Sequence, residues 1–336
     1  MKSEFAFINQ LRARAARRAD DLICGIGDDT AILGQRTGRE TLITADLLIE
    51  DVHFKPAYTP FQCLGHKSLA VSLSDIAAMG GVPRFALLTL GIPKSLNHDR
   101  QWEEFFAGYF ALAEQFNVTL IGGDTCAAPD RLTIDSIVLG ECEQGRAVRR
   151  NGARSGDAIY LTGEIGASAA GLELLRRGER LSPRRREAGQ NALRAHLMPQ
   201  PRVEFGQLIG AAGLAHAMID VSDGLAQDLA HICEESGVGA IIEYENVPVA
   251  AETRLVRQSD DAAFALAISG GEDYELLLTA VRDDESALLE LARQCNLPLT
   301  RIGEVITADP AIGFAPLLQR AGRTEQVTAR GYDHFA

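Results

Sequence analysis

Aspartates recur in this chain inside short motifs framed by glycine, serine or threonine: Gly25-Ile26-Gly27-Asp28-Asp29, Thr44-Ala45-Asp46, Ser74-Asp75, Gly122-Gly123-Asp124 and Asp220-Val221-Ser222-Asp223-Gly224. Carboxylates gathered in that number would repel one another, and any phosphate, unless cations lay between them. Hard oxygen ligands suit Mg²⁺, which is held by a few carboxylates together with substrate phosphates and water. The pattern points to a metal-dependent enzyme that handles phosphate groups.

Each motif also has a simpler reading. The glycine-rich turn at 25–29 is no dinucleotide fingerprint, since paired aspartates would repel a pyrophosphate; it is a metal turn or an Asx-turn. Thr44-Ala45-Asp46 closes an apolar strand, where sites of open α/β folds gather, although a strand-end Asp also serves as a cap. His53 follows, either for a substrate phosphate or as an ordinary loop histidine. Ser68, Ser72 and Asp75 form a polar stripe at helical spacing, and a carboxylate buried there needs a helix-to-loop partner or a metal. In Leu120-Ile121-Gly122-Gly123-Asp124, two glycines let the backbone approach a ligand just before a carboxylate. Ser222 or Asp223 would cap the helix that follows, which leaves Asp220 unexplained. Ser269-Gly270-Gly271-Glu272-Asp273-Tyr274-Glu275 reads most simply as a solvated turn before a strand.

The elements that must position these residues follow from periodicity. Strands are expected over 40–49, 85–91, 118–121, 131–141, 157–162, 217–220, 239–243, 275–280 and 299–305. Helices are expected over 62–79 (closed by Gly80-Gly81), 99–116, 166–177, 224–235 and 283–294, with 178–190 a surface loop or helix end. Phe5, Ile8, Leu11 and Ala15 make an amphipathic stripe that favours a solvated helix over a transit peptide, despite Arg12, Arg14, Arg17 and Arg18. The polar, glycine-bearing stretch around Arg149 to Gly156 divides the 336 residues into domains at 1–148 and 149–336. Mixed α/β (α+β) architecture is the expected class.

Composition excludes several functions. A net charge of −13 is the wrong sign for a nucleic-acid footprint. It permits a nucleotide substrate, because bound cations invert the local field. The six cysteines form no C-x-x-C pair and read as free thiols of a cytoplasmic protein. No run of about 18 apolar residues is present, so no membrane span is expected. There is no P-loop, kinase catalytic-loop set or nucleophile elbow, so ATP must be bound by another route.

Taken in order, the pieces closely resemble the thiamine-monophosphate kinases, members of the aminoimidazole-ribonucleotide synthetase and selenophosphate synthetase superfamily. The resemblance rests on GIGDDTA at 25–31, ITAD at 43–46, HF at 53–54, SLSDIAAMG at 72–80, LIGGDT at 120–125, IDVSDGL at 219–225, ISGGEDYEL at 268–276 and GYDHF at 331–335. It implies two domains of the synthetase type, the N-terminal sheet pairing into a β-barrel across a homodimer. It implies ATP-dependent phosphorylation of thiamine monophosphate to thiamine diphosphate. Carried over by position, Asp29, Thr44, Ala45 (through its carbonyl), Asp46, Asp75, Asp124, Asp220 and Asp223 would hold several Mg²⁺ ions. Tyr109, Gly123, Asp124, Arg150 and Ser222 would contact ATP, and His53, Glu272 and Tyr332 thiamine phosphate. Ala45 departs from relatives with Thr there, which a ligand acting through its carbonyl survives. The acceptor is already anionic, so no catalytic residue beyond the metal ligands is assigned.

Other members of the superfamily remain as alternatives. A selenophosphate synthetase would carry a reactive cysteine near its N-terminus, and a hydrogenase-maturation relative would end in one. Here the first 23 residues contain none and the chain ends His334-Phe335-Ala336. An aminoimidazole-ribonucleotide synthetase fits the fold without predicting GYDHF. A non-catalytic nucleotide or metal sensor could share the fold, but had no need to keep every acid.

Overall fold

Alternation of inward and outward side chains builds the first sheet. In the computed structural model, which describes residues 21–24, 32–34, 36–96, 99–182, 187–327 and 331, a short antiparallel pair comes first, β1 (Leu22–Cys24) with β2 (Ile32–Leu33). β3 (Arg39–Ile49), α1 (Phe61–Ala78), β4 (Val82–Pro93), α2 (Asp99–Gln115), β5 (Thr119–Ala128) and β6 (Thr133–Glu143) follow. The sheet order is β3-β6-β4-β5. β6 alternates buried and half-buried positions along nearly its whole length, as a strand covered on one face must. All of these residues but Ala77 and Ala78 belong to a unit of Met1–Ile76 and Gly81–Gly145.

α1 carries buried residues all round, among them Leu64, Leu69, Leu73, Ile76 and the polar Ser68, Ser72 and Ser74. Such a helix packs through small residues. A Cβ on Gly65 would stand 1.9 Å from the Phe105 carbonyl oxygen, and one on Gly108 1.8 Å from that of Gln62. α1 and α2 therefore cross at backbone contact, below which Trp102, Phe105, Phe106 and Tyr109 pack ring against ring. Gly80 and Gly81 close α1 as expected, their amides donating to the Ala77 and Ile76 carbonyls, each at 2.9 Å.

The second unit, Ala77–Gly80 with Arg146–Ala336, holds β7 (Ala158–Thr162), α3 (Ala167–Arg176), α4 (Ala188–Leu197), α5 (Val203–Ala212), β8 (Ala215–Asp220), α6 (Leu225–Ser236) and β9 (Val238–Glu243). It continues with α7 (Asp260–Ser269), β10 (Leu276–Ala280), α8 (Glu285–Gln294), β11 (Leu299–Thr307), β12 (Leu317–Arg320) and β13 (Arg323–Gln326). The sheet runs β13-β12-β9-β11-β7-β10-β8, antiparallel except where β12 lies parallel to β9. Ile159, Leu161, Ile219, Leu229, Ile232 and Leu277 anchor its core.

Several elements differ from expectation. α4 begins within the stretch read as loop, because Ala192, Leu193 and Leu197 bury one face of an otherwise polar helix. α5 and α7 were not expected, although Ser259 caps α7 by accepting the Ala262 amide and acids occupy its first turn. β5 runs seven residues past the expected end at 121, through both glycines, because β4 pairs with it as far as Pro93–Ala128. Cys63, Cys142 and Cys233 are buried thiols, Cys126 is exposed, and these with Cys295 are free. Among the described residues no helix is long and apolar enough to cross a membrane. The amphipathic stripe at residues 5–15 lies outside the described residues.

The helix crossing yields a direct test. Gly108→Val is expected to lower stability by about 2–3 kcal/mol, because no movement short of separating α1 from α2 accommodates the methyls. Urea titration should show a lower midpoint with an unchanged slope.

Candidate active site

Asp46 lies in the middle of β3, not at its end, because the strand continues through Leu47, Leu48 and Ile49. It pairs with Ser136 on β6, which pairs with Leu88 on β4, which pairs with Gly123 on β5. Asp46 and Gly123 therefore share one row of the sheet. Gly123 has φ +146°, and a Cβ there would stand 1.9 Å from the Leu88 carbonyl oxygen, so this row position admits only glycine. Asp124 occupies the next row, with Thr89, Asp135 and Leu47. Its carboxylate is exposed and accepts the Thr125 amide at 2.8 Å.

The polar stripe of α1 divides. Ser68 donates to the Gly65 carbonyl at 2.9 Å, an ordinary helix bond. Ser72 donates across to the Ser136 carbonyl at 2.8 Å, and Asp75 accepts the Thr44 hydroxyl. Thr44, Asp46, Ser72 and Asp75 thus form one cluster, with the Ala45 backbone between the two β3 side chains. Asp46 Oδ2 is buried with no hydrogen-bond partner among the described residues. Burial, then the Asp75 charge, pushes the Asp46 carboxyl up to about 7; Ser72 opposes this and Asp135 adds to it. An orphaned carboxylate oxygen beside a second carboxylate is what an oxygen-coordinated cation would satisfy, and Mg²⁺ fits this donor set.

Tyr109 is fully buried in α2. Burial raises its phenol far above the usual range, and the neighbouring Ser136 hydroxyl draws it only partly back. His53 Nδ1 accepts the Ile49 amide at 3.0 Å, which places the proton of the neutral ring on Nε2. Asp29 and Tyr332 lie outside the described residues.

In the second unit Asp220 is buried at the end of β8, opposite Leu276. The helix cap expected of Ser222 or Asp223 is corrected: Gly224 is the N-cap, and it is the Asp228 carboxylate that accepts the amides of Asp223 and Gly224, each at 3.1 Å. Burial, then the charges of Asp220 and Asp223, holds Asp228 well above the ordinary carboxylate range. Among the described residues Asp223, Asp228 and His231 bring one ligand atom each within 4.8 Å of one another. Asp228 and His231 escaped the sequence reading, although they stand three residues apart on one face of α6. Arg150 is exposed in a short turn, its carbonyl accepting the Ser236 hydroxyl.

The expectation of a solvated turn at 269–275 is overturned. Ser222 O accepts the Glu272 amide at 2.7 Å, and Val221 exchanges backbone bonds with Tyr274 and Glu275. Glu272 and Tyr274 have φ of +67° and +53°, a conformation costly for residues with a Cβ. Each acid has a distant partner. Glu272 Oε2 lies 3.1 Å from His196 Nδ1. Asp273 accepts the Gly166 and Ser168 amides at 2.7 and 3.1 Å, while burial pushes its carboxyl up to about 7. Glu275 pairs with Arg202, and Thr162 donates to it at 2.7 Å.

Comparison with known proteins places this geometry. Residues 27–142 match the N-terminal domain, and 154–313 the C-terminal domain, of AIR synthase related proteins. The thiamine-monophosphate kinase of Salmonella typhimurium is 38% identical over 335 residues, 99% of this chain and 98% of that one. The crystal structure of thiamine-monophosphate kinase from Stenotrophomonas maltophilia superposes with a TM-score of 0.83 at 38% identity, covering 94% of this chain and 96% of that one. AaThiL complexed with AMPPCP and TMP gives 0.77 at 30% identity, covering 99% and 97%.

The crowding at Asp46 predicts a pH signature. Its carboxyl is raised from 3.8 to about 7. A raised carboxyl contributes stability below its unfolded value and loses that contribution as pH climbs through the folded one. Between about pH 4 and pH 7, cation-free protein should therefore lose stability as pH rises. Asp46→Asn should raise the Tm of chelator-treated protein by at least about 3 °C at pH 8, and by clearly less at pH 5. Equal shifts at both pH values, read by calorimetry, would show that the charge is not the cause.

Proposed function

The chain belongs to the thiamine-monophosphate kinase family of AIR synthase related proteins, and on that premise we propose that it transfers the γ-phosphoryl group of ATP directly, in line, to thiamine monophosphate, giving thiamine diphosphate. It is a phosphotransferase whose acceptor is itself a phosphate group. The observation that carries the mechanism is Oδ2 of Asp46, buried beside Asp75 with no hydrogen-bond partner among the described residues.

ATP and a phosphate monoester are both polyanions, and this chain is itself acidic, so their approach costs Coulomb energy. Thr44, Asp46 and Asp75, with Asp29 and Asp124, are the residues we assign to hold Mg²⁺ near the nucleotide; Asp220 and Asp223 are assigned to the same role in the second unit. When bound, Mg²⁺ supplies the positive charge that offsets this repulsion and stabilises the transferring group. Gly123, which the Leu88 backbone of β4 requires to be glycine, is assigned with Asp124 to contact ATP. His53, with its proton on Nε2, is a donor suited to a phosphate oxygen. No side chain need remove a proton, because the acceptor oxygen is already anionic.

The outward face of β3 supports a homodimer. Ile43 and Leu47 are 69% and 49% exposed, with exposed Ala45 between them. An apolar edge strand left open to water is an association site, and a second copy would cover it.

Release of ADP on mixing with Mg-ATP and thiamine monophosphate, but not with thiamine or aminoimidazole precursors, tests the reaction. Asp46→Asn and Asp124→Asn should each lower kcat by at least about 100-fold with the fold intact, the loss typical of one transition-state charge contact. Near-normal turnover at saturating Mg²⁺ would remove that residue from the metal set. Direct transfer further predicts no ATP–ADP exchange in the absence of thiamine monophosphate, since two aligned substrates require no enzyme nucleophile.

A further inference from the structure

Glu272 is held by residues far from its own motif. Its amide is pinned to the Ser222 carbonyl at 2.7 Å, and its φ of +67° fixes the direction in which the side chain leaves the backbone. The carboxylate then meets His196, Nδ1 to Oε2 at 3.1 Å. Ser168 Oγ lies 3.1 Å from the same nitrogen. Both His196, on α4, and Ser168, in the first turn of α3, are buried.

The ring cannot drift. α3 and α4 touch where a Cβ on Gly171 would stand 2.1 Å from the Ala192 carbonyl oxygen and 3.1 Å from His196 Cβ. The turn that carries Ser168 is tied down in its own right, because Asp273, the neighbour of Glu272, accepts the Gly166 and Ser168 amides. One motif therefore sends two adjacent acids to two ends of the same device: Asp273 holds the helix turn, and that turn's Ser168 meets the ring that holds Glu272. Burying an imidazole costs desolvation that leucine would not incur. Helix packing gains nothing from it, so the polar ring serves its hydrogen bonds.

We propose that His196 is a positioning residue, which with Ser168 fixes the rotamer in which the Glu272 carboxylate meets the thiamine moiety. This rests on the reading of Glu272 as a thiamine-phosphate contact. A carboxylate facing a cationic ring benefits from a fixed rotamer, because the entropy of orienting it is spent on folding and not on binding. The device acts on binding of one substrate and leaves the nucleotide and the metal ligands untouched.

Steady-state kinetics of four variants decide it. His196→Leu keeps the helix face filled and removes the hydrogen bond. It should raise KM for thiamine monophosphate about 10-fold, as expected for losing a hydrogen bond to a charged group, with KM for ATP within about twofold of wild type. His196→Asn returns a donor near the Nδ1 position and should recover most of the loss. Glu272→Gln should raise the same KM, and the double variant His196→Leu/Glu272→Gln should be no worse than Glu272→Gln alone, because the two residues act as one unit. A rise for Glu272→Gln with none for His196→Leu overturns the proposal while leaving the substrate reading standing. No rise for Glu272→Gln overturns the substrate reading itself. A parallel rise in both KM values for His196→Leu overturns positioning in favour of a general structural role. Should His196→Leu not fold, Ser168→Ala replaces it: an approximately threefold rise in KM for thiamine monophosphate supports the proposal, and no rise overturns it.

Discussion

Two carboxylates forced together inside a sheet-and-helix layer set the terms for the first unit. Asp46 faces inward because β3 alternates, and Asp75 meets it because α1 is pressed against the sheet. Placing them together costs desolvation and repulsion at once, and the protein compensates only in part. Thr44 donates to Asp75 and Ser72 moderates Asp46, yet one carboxylate oxygen stays buried without a partner among the described residues. The remainder is what the proposed cation would offset. The close crossing at Gly65 and Gly108 belongs to the same logic, since a looser helix pair would let α1 rise and water reach the acids.

The second unit meets a similar density of acids with the opposite solution. Asp228 and Asp273 each accept two backbone amides, and Glu275 is paired with Arg202 and Thr162. These carboxylates are satisfied by protein donors and act as struts. The contrast separates roles that composition cannot: a buried acid whose donors are supplied by the chain organises loops, whereas one with an orphaned oxygen awaits a ligand.

Short-range patterns made much of this legible. The alternation in 40–49 and 131–141 predicts two long strands, and the run 62–79 with its two glycines predicts α1 and its cap, because each signal lies within a few residues of the element it controls. Misreadings arose where a partner lay far away. Glu272, Asp273 and Glu275 look like a solvated turn until His196, Gly166 and Arg202 are brought to them from 73 to 107 residues off. Gly122-Gly123 looks like the end of a strand until β4 is seen to pair past it. Polar α4 hides in an Arg/Glu-rich stretch because only one face of it is apolar. The ordered acid motifs carried the family; their division into struts and candidate ligands needed coordinates.

Strain ties the acidic loop to the neighbouring motif. Glu272 and Tyr274 each sit in the left-handed region, at about 1–3 kcal/mol apiece. What holds them there is the backbone of Val221 and Ser222, which accepts the Tyr274 and Glu272 amides, while Val221 donates to Glu275. The segment of Asp220 and Asp223 is thus laced to the segment of Glu272 residue by residue. Separating the two segments would cost three backbone hydrogen bonds. In a chain of net charge −13, a phosphate-bearing substrate is tolerated only where the local field has been inverted. Rigid lacing of the acids to the neighbouring motif would keep that inverted patch and the Glu272 carboxylate in one fixed relation.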